Sequence, residues 1–202
     1  MHTTANKNAK IIALNNKRKA DYFRTYDPII GDSVGEVVPR TPIEFDGITY
    51  HIPLSMLTNP FIDIVVKCGG ELSEICSELE LDNTRKIHKQ IRDHFYDIRM
   101  DHDFEFYAAM CLTIQDKQTK RAIPFIANKG QRILLGEFER QRLSGVPIRV
   151  IIVKARQWGG STATEMYMLW LQTRAVRSSS QAIPNMKDKR LKLTGLNPEA
   201  TY

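Results

Sequence analysis

The stretch Ile148-Arg149-Val150-Ile151-Ile152-Val153-Lys154-Ala155-Arg156-Gln157-Trp158-Gly159-Gly160-Ser161-Thr162 decides how this chain is read. Its first six residues are mostly β-branched and follow the turn Ser144-Gly145-Val146-Pro147, the pattern of a short buried parallel strand. Beyond the loop, Ala163, Met166, Tyr167 and Trp170 recur at helical spacing. Met168, Leu169 and Leu171 add apolar residues on other sides, which predicts a helix buried nearly all round. Strand, tight glycine loop and helix opening on a hydroxyl residue is the layout of a phosphate-binding loop. Backbone N–H groups at a helix N-terminus lack intrahelical acceptors and sit at the positive end of the dipole, so they attract phosphate oxygens. Gly159 and Gly160 let backbone approach such an anion with no Cβ between. Ser161 stands where a hydroxyl ligates the magnesium ion that bridges the outer phosphates, and Thr162 follows it.

The fit to the standard pattern G-x-x-x-x-G-K-[ST] is partial. Lys154 occupies the place of the first glycine, and Gly160 replaces the lysine that reaches the outer phosphates. On the pattern alone, Gly-Gly-Ser before a helix is equally an ordinary strand-to-helix connection.

Working upstream, Asn128 to about Leu143 is predicted as a helix burying Leu134, Leu135 and Phe138, stopped by the Gly-Pro turn. Residues 111–125 read as two short strands around Asp116-Lys117-Gln118-Thr119-Lys120. Residues 71–110 read as helical. Asp82, Asn83 or Thr84 serves as cap to a helix with Ile87, Ile91, Phe95 and Ile98 on one face. His88, His94 and His102 do not follow the i, i+4 spacing of a helical zinc site and are taken as surface or capping residues. Asp101, Asp103 and Glu105 lack a surrounding ligand loop and are not read as a nuclease metal site. Asp46-Gly47, between Ile43-Glu44-Phe45 and Ile48-Thr49-Tyr50-His51-Ile52, predicts a hairpin. Residues 1–20 are polar and basic apart from Ile11-Ile12-Ala13-Leu14, and read as a flexible arm or frayed helix.

The 202 residues are 42% hydrophobic and 26% charged, which fits an ordinary soluble domain rather than a disordered chain. No apolar run approaches the roughly 18–20 residues that cross a bilayer, so no membrane partner is expected. Cys68, Cys76 and Cys111 form no close pair and suit free thiols in a reducing compartment, against a disulfide framework or zinc ribbon. The net charge of +6 is compatible with a polyanionic partner. Between Arg121 and Lys192 basic residues far outnumber the acids Glu137, Glu139, Glu165 and Asp188, a surplus suited to the phosphates of nucleotide or DNA.

Three pieces in order, Phe104-Glu105-Phe106-Tyr107-Ala108-Ala109, then Ile123 to Arg132, then Lys154 to Thr162, resemble the start of the ATPase domain of phage terminase large subunits. Tyr26-Asp27-Pro28-Ile29 has a similar look to the leader of those proteins. The family carries divergent loops of the form Arg-Gln-x-Gly-x-Ser-Thr. In some members a lysine at the start of the loop is thought to replace the usual one, which here implies Lys154 as the phosphate cation. The Asn128-x-x-Gln131 segment resembles the family's adenine-contacting element. Gln131 is therefore either an adenine contact or only the partner of Asn128 in a capping box. Arg156 contacts phosphate or pairs with an acid, and Trp158 packs the loop against the sheet.

The resemblance implies an incomplete P-loop NTPase-type parallel sheet core (α/β) preceded by a mixed α+β leader. Residues 1–20 are assigned to a basic arm, 21–110 to the leader, 111–172 to the start of the ATPase core and 173–202 to a polar basic tail expected to be mobile. The implied function is the nucleotide-binding part of a motor that couples ATP hydrolysis to DNA packaging in the host cytoplasm. Its ligands are ATP and Mg2+, with Ser161 on the metal and Gln131, Lys154, Arg156, Gly159, Gly160, Ser161 and Thr162 at the nucleotide. Double-stranded DNA, a portal, a small terminase subunit and further copies of the chain are the implied partners. No apolar strand closing in Asp-Glu and no acidic nuclease cluster follows Thr162. The chain is therefore expected to be truncated by a stop codon, a frameshift after about Gln172 or the bounds of an expressed piece, and not to turn over ATP alone. A fragment of another P-loop helicase or remodelling ATPase, or a non-catalytic remnant, are the alternatives.

Overall fold

A computed structural model describes residues 9–18, 26–31, 39–116, 118–153 and 158–181, with side chains to residue 175. The architecture is mixed α and β, largely helical, with two small antiparallel sheets among the described residues. A helix over 9–18 is exposed along its length.

The first core grows from the predicted hairpin. β1 (Arg40–Phe45) pairs antiparallel with β2 (Ile48–Pro53) in the register Phe45 to Ile48, and Asp46 and Gly47 take the positive φ of a tight turn (51° and 74°). Alternation turns Ile43, Phe45, Tyr50 and Ile52 inward. They meet α1 (Pro60–Lys67), capped by Asn59, α2 (Leu72–Glu78) and α3 (Arg85–His102). The turn before α2 needs Gly70: its φ is 77°, and a Cβ there would run into the Glu44 carbonyl. Thr84 is the residue that caps α3, accepting from the Ile87 N–H at 3.3 Å. His88 bonds Asn83, as a surface histidine can, but His94 does not fit the surface reading. Its ring stands edge-on to Phe61 at 4.8 Å, and burial pulls its pKa down to about 4.

The second core lies beyond α3. It holds α4 (Phe104–Cys111), the short pair β3 (Thr113–Gln115) and β4 (Ala122–Pro124), α5 (Lys129–Leu143) and α6 (Gly160–Gln181). Tyr167 and Trp170 of α6 pack on Phe104, and Trp170 Nε1 donates to the Met100 carbonyl at 2.8 Å.

Three expectations change here. Residues 148–153 form no strand: among the described residues there is no sheet for them to join, and Ile151 and Val153 are 96% and 98% exposed. A strand exists only through hydrogen bonds to a neighbouring strand, and among the described residues the run is clipped instead by one side chain. The Arg149 N–H donates to Gln141 Oε1 at 2.7 Å, and Gln141 Nε2 donates back to the Arg149 carbonyl at 3.3 Å. For the same reason α6 is not buried all round. Ala163, Tyr167 and Trp170 form its inner face, while Met168 and Leu169 are exposed. The helix also continues to Gln181, past the expected tail boundary near Gln172, and Arg174 lies over the Trp170 ring at 4.8 Å.

The two cores are joined by charge. Arg40 of β1 grips Asp103 with both terminal nitrogens at 2.8 Å and reaches Glu105 at 2.9 Å; Arg132 of α5 donates to Glu105 at 2.6 Å. These four side chains are almost wholly buried. Burial pushes the Asp103 carboxyl up, but the neighbouring Arg40 guanidinium overrides it and holds the group below its ordinary value. Replacing Asp103 with Ala would leave Arg99 buried without its carboxylate and Arg40 with only Glu105, which it shares with Arg132. The expected cost is about 3–5 kcal/mol, read as a lower denaturant midpoint. A loss below about 1 kcal/mol would show that the cores do not depend on this pair.

Candidate nucleotide site at two helix N-termini

α5 and α6 begin side by side, and one side chain ties them. Asn128 caps α5, accepting from the Gln131 N–H at 3.0 Å, while Gln131 Oε1 accepts from the Asn128 N–H at 2.9 Å. The capping box read from the sequence is therefore present. The same Gln131 amide donates through Nε2 to the Gly159 carbonyl at 3.0 Å, across 28 residues. That carbonyl also receives the Ala163 N–H at 3.1 Å, closing the first turn of α6.

The glycines are fixed by their surroundings. Gly159 has φ 79°, and a Cβ there would lie 2.7 Å from Gln131 Nε2. Gly160 is buried, and the Trp158 ring occupies the space its Cβ would need. The opposite side of that ring closes on Gly130 of α5 in the same way. Trp158 thus wedges between the two helix starts: it packs, as expected, but against helices rather than against a sheet. Gly160 is bare because an indole lies against it, a reason that spacing did not disclose.

Ser161 and Thr162 stand exposed on the first turn of α6. The Thr164 hydroxyl is instead turned into the helix, donating to the Gly160 carbonyl at 2.9 Å. First-turn amides of α6 have no acceptor within the helix itself, and the dipoles of α5 and α6 end close together. Lys154 and Arg156 lie outside the described residues. Among the described residues no group of three or more His, Cys, Asp or Glu side chains could hold a metal. Asp103 and Glu105 are engaged by arginines.

Beside the site, Ile148, Val150 and Ile152 face Tyr167, Met168 and Leu171 across an apolar groove of about 340 Å3. The 148–152 run thus turns alternate residues toward α6, as a strand above a helix would. Sequence reasoning missed the Gln141 clip and the buried ion cluster. Neither leaves a periodic signal, because the partners are set by tertiary approach.

No protein-family model, curated protein or solved structure matches this chain. No helix among the described residues is long and apolar enough to cross a membrane.

The wedge makes a direct prediction. Gly130→Ala and Gly160→Ala alter different helices yet should expel the same indole, so both should red-shift tryptophan emission, while Trp170 stays buried. Unchanged emission in either variant would mean that Trp158 does not occupy that space.

Proposed function

We propose that this chain is the nucleotide-binding opening part of a viral DNA-packaging ATPase of the terminase large subunit type. The observation that carries the reading is the Gln131–Gly159 hydrogen bond. It joins the Asn128–Gln131 element to the glycine loop at the mouths of two helices. A phosphate-binding loop needs a helix start whose amides face an open space, and exposed Ser161 and Thr162 mark such a face on α6. The unclaimed 148–153 run and its groove suit the first strand of a P-loop parallel sheet whose other strands would cover Ile151 and Val153.

In this reading the first-turn amides of α6 receive phosphate oxygens and Lys154 supplies the cation that Gly160 cannot. Ser161 fits one magnesium ligand: it is exposed and adjoins the helix start, although among the described residues no group of three or more acidic, His or Cys side chains could complete the shell. Bound magnesium would neutralise phosphate charge. The residues described here hold and orient; none positions an attacking water. ATP is accordingly bound weakly and not turned over by these 202 residues. Double-stranded DNA, portal, small subunit and further copies of the chain are partners of the complete motor in the host cytoplasm. A non-catalytic remnant is the second reading, favoured by one observation: Trp158 and Gln131 already fill the joint with protein contacts.

Equilibrium titration of the purified chain with ATP and Mg2+, alongside a phosphate-release assay, separates these. The proposal expects weak saturable binding, no sustained hydrolysis, and a loss of about tenfold or more on Lys154→Ala, the size of one charge-assisted contact. Arg156→Ala should cost less, since a planar guanidinium is harder to aim at the outer phosphates than a lysine ammonium on its flexible stem. No binding would favour the remnant. Sustained hydrolysis would overturn the claim that the site is incomplete.

A further inference from the structure

Resting on the nucleotide reading above, we propose that Gln131 is a positioning residue: it sets the phosphate loop through Gly159 and does not read the base. An amide that recognises adenine presents its oxygen and its NH2 group together to one base edge. Here the two ends of the Gln131 amide point to different backbone atoms. Oε1 takes the Asn128 N–H at 2.9 Å and Nε2 gives to the Gly159 carbonyl at 3.0 Å. The side chain is buried, and the amide is planar, so rotating it toward a base breaks both bonds at once.

What Gln131 holds is the loop itself. Gly159 sits at positive φ just before α6, and its carbonyl receives both the Gln131 amide and the Ala163 N–H. That one carbonyl orients the peptide leading into Gly160 and Ser161, whose N–H groups would meet phosphate. Trp158, wedged between Gly130 and Gly160, locks the same joint from its other side. Binding energy therefore comes from the polyphosphate. The ligand class is a nucleoside triphosphate recognised through its phosphates, with little preference among bases.

The test uses the 202-residue chain with three probes, ATP, GTP and inorganic triphosphate, each with Mg2+. The wild-type protein should bind all three within about threefold of one another. Gln131→Met keeps the side-chain length and removes both hydrogen bonds. It should weaken all three by a similar factor, about fivefold or more, and speed amide exchange at Ala163. Asn128→Ala removes the side-chain cap on the Gln131 N–H but leaves both bonds of the Gln131 amide, since Oε1 accepts from a backbone N–H, and should leave affinity for all three within about twofold. A loss confined to ATP would overturn the proposal and make Gln131 a base reader. Equal loss in Asn128→Ala and Gln131→Met would also overturn it, assigning the effect to the α5 start. Unchanged Ala163 exchange in Gln131→Met would overturn the latch even if affinity fell. Failure of the wild-type chain to bind any probe would instead reject the nucleotide reading itself, with the exchange result still reporting on the latch.

Discussion

Everything downstream of the hairpin depends on the bidentate grip of Arg40 on Asp103. Burying a carboxylate and a guanidinium costs several kcal/mol each unless geometry and further hydrogen bonds offset the loss of water. Here two parallel 2.8 Å bonds do so, and Glu105 extends the cluster to Arg132. Asp103 is at once the cap of α4, accepting from the Phe106 N–H, and the anchor of β1. Its position thus fixes the angle between α3 and α4. Arg99 continues the network outward. It lies over the Phe106 ring at 4.2 Å and donates to the carbonyls of Pro28 and Ile29, which docks the 26–31 segment against both cores.

From that junction the geometry of the site follows. Arg132 is one residue from Gln131, so the ion cluster that seats the start of α5 also seats the amide that reaches Gly159. The N-terminus of α6 is then aligned by Gln131 on one side and by the Trp158 wedge on the other. In the proposed reading, structural and ligand-binding roles overlap at these residues. A joint this tightly packed would give a phosphate loop the preorganisation it requires, and on the proposed reading the exposed first turn of α6 is the face that meets the ligand.

The sequence disclosed what local chemistry decides. Asp46-Gly47 announced the hairpin because positive φ at both positions favours those residues, and Asn128 with Gln131 announced a capping box through its three-residue spacing. The run 148–153 was legible as strand-forming but not as a strand, since that status depends on neighbours that its own residues do not specify. The Arg40–Asp103 pair spans 63 residues and carries no spacing rule, so no pattern in the sequence marked it. His94 shows the same limit: an imidazole half-buried against Phe61 has no mark in the pattern around it. At the candidate site, Gly159 and Gly160 were legible as glycines that something must approach. The structure supplies Gln131 and Trp158 as the groups that do so.

The most direct measurement is backbone amide chemical-shift mapping of the 202-residue chain during titration with ATP and Mg2+. A nucleotide held where α5 and α6 begin should shift amides in 128–131 and 158–164 along one saturable curve, leaving the β1–β2 hairpin and α3 unmoved. Shifts centred on the first core, or none at any nucleotide concentration, would contradict the account.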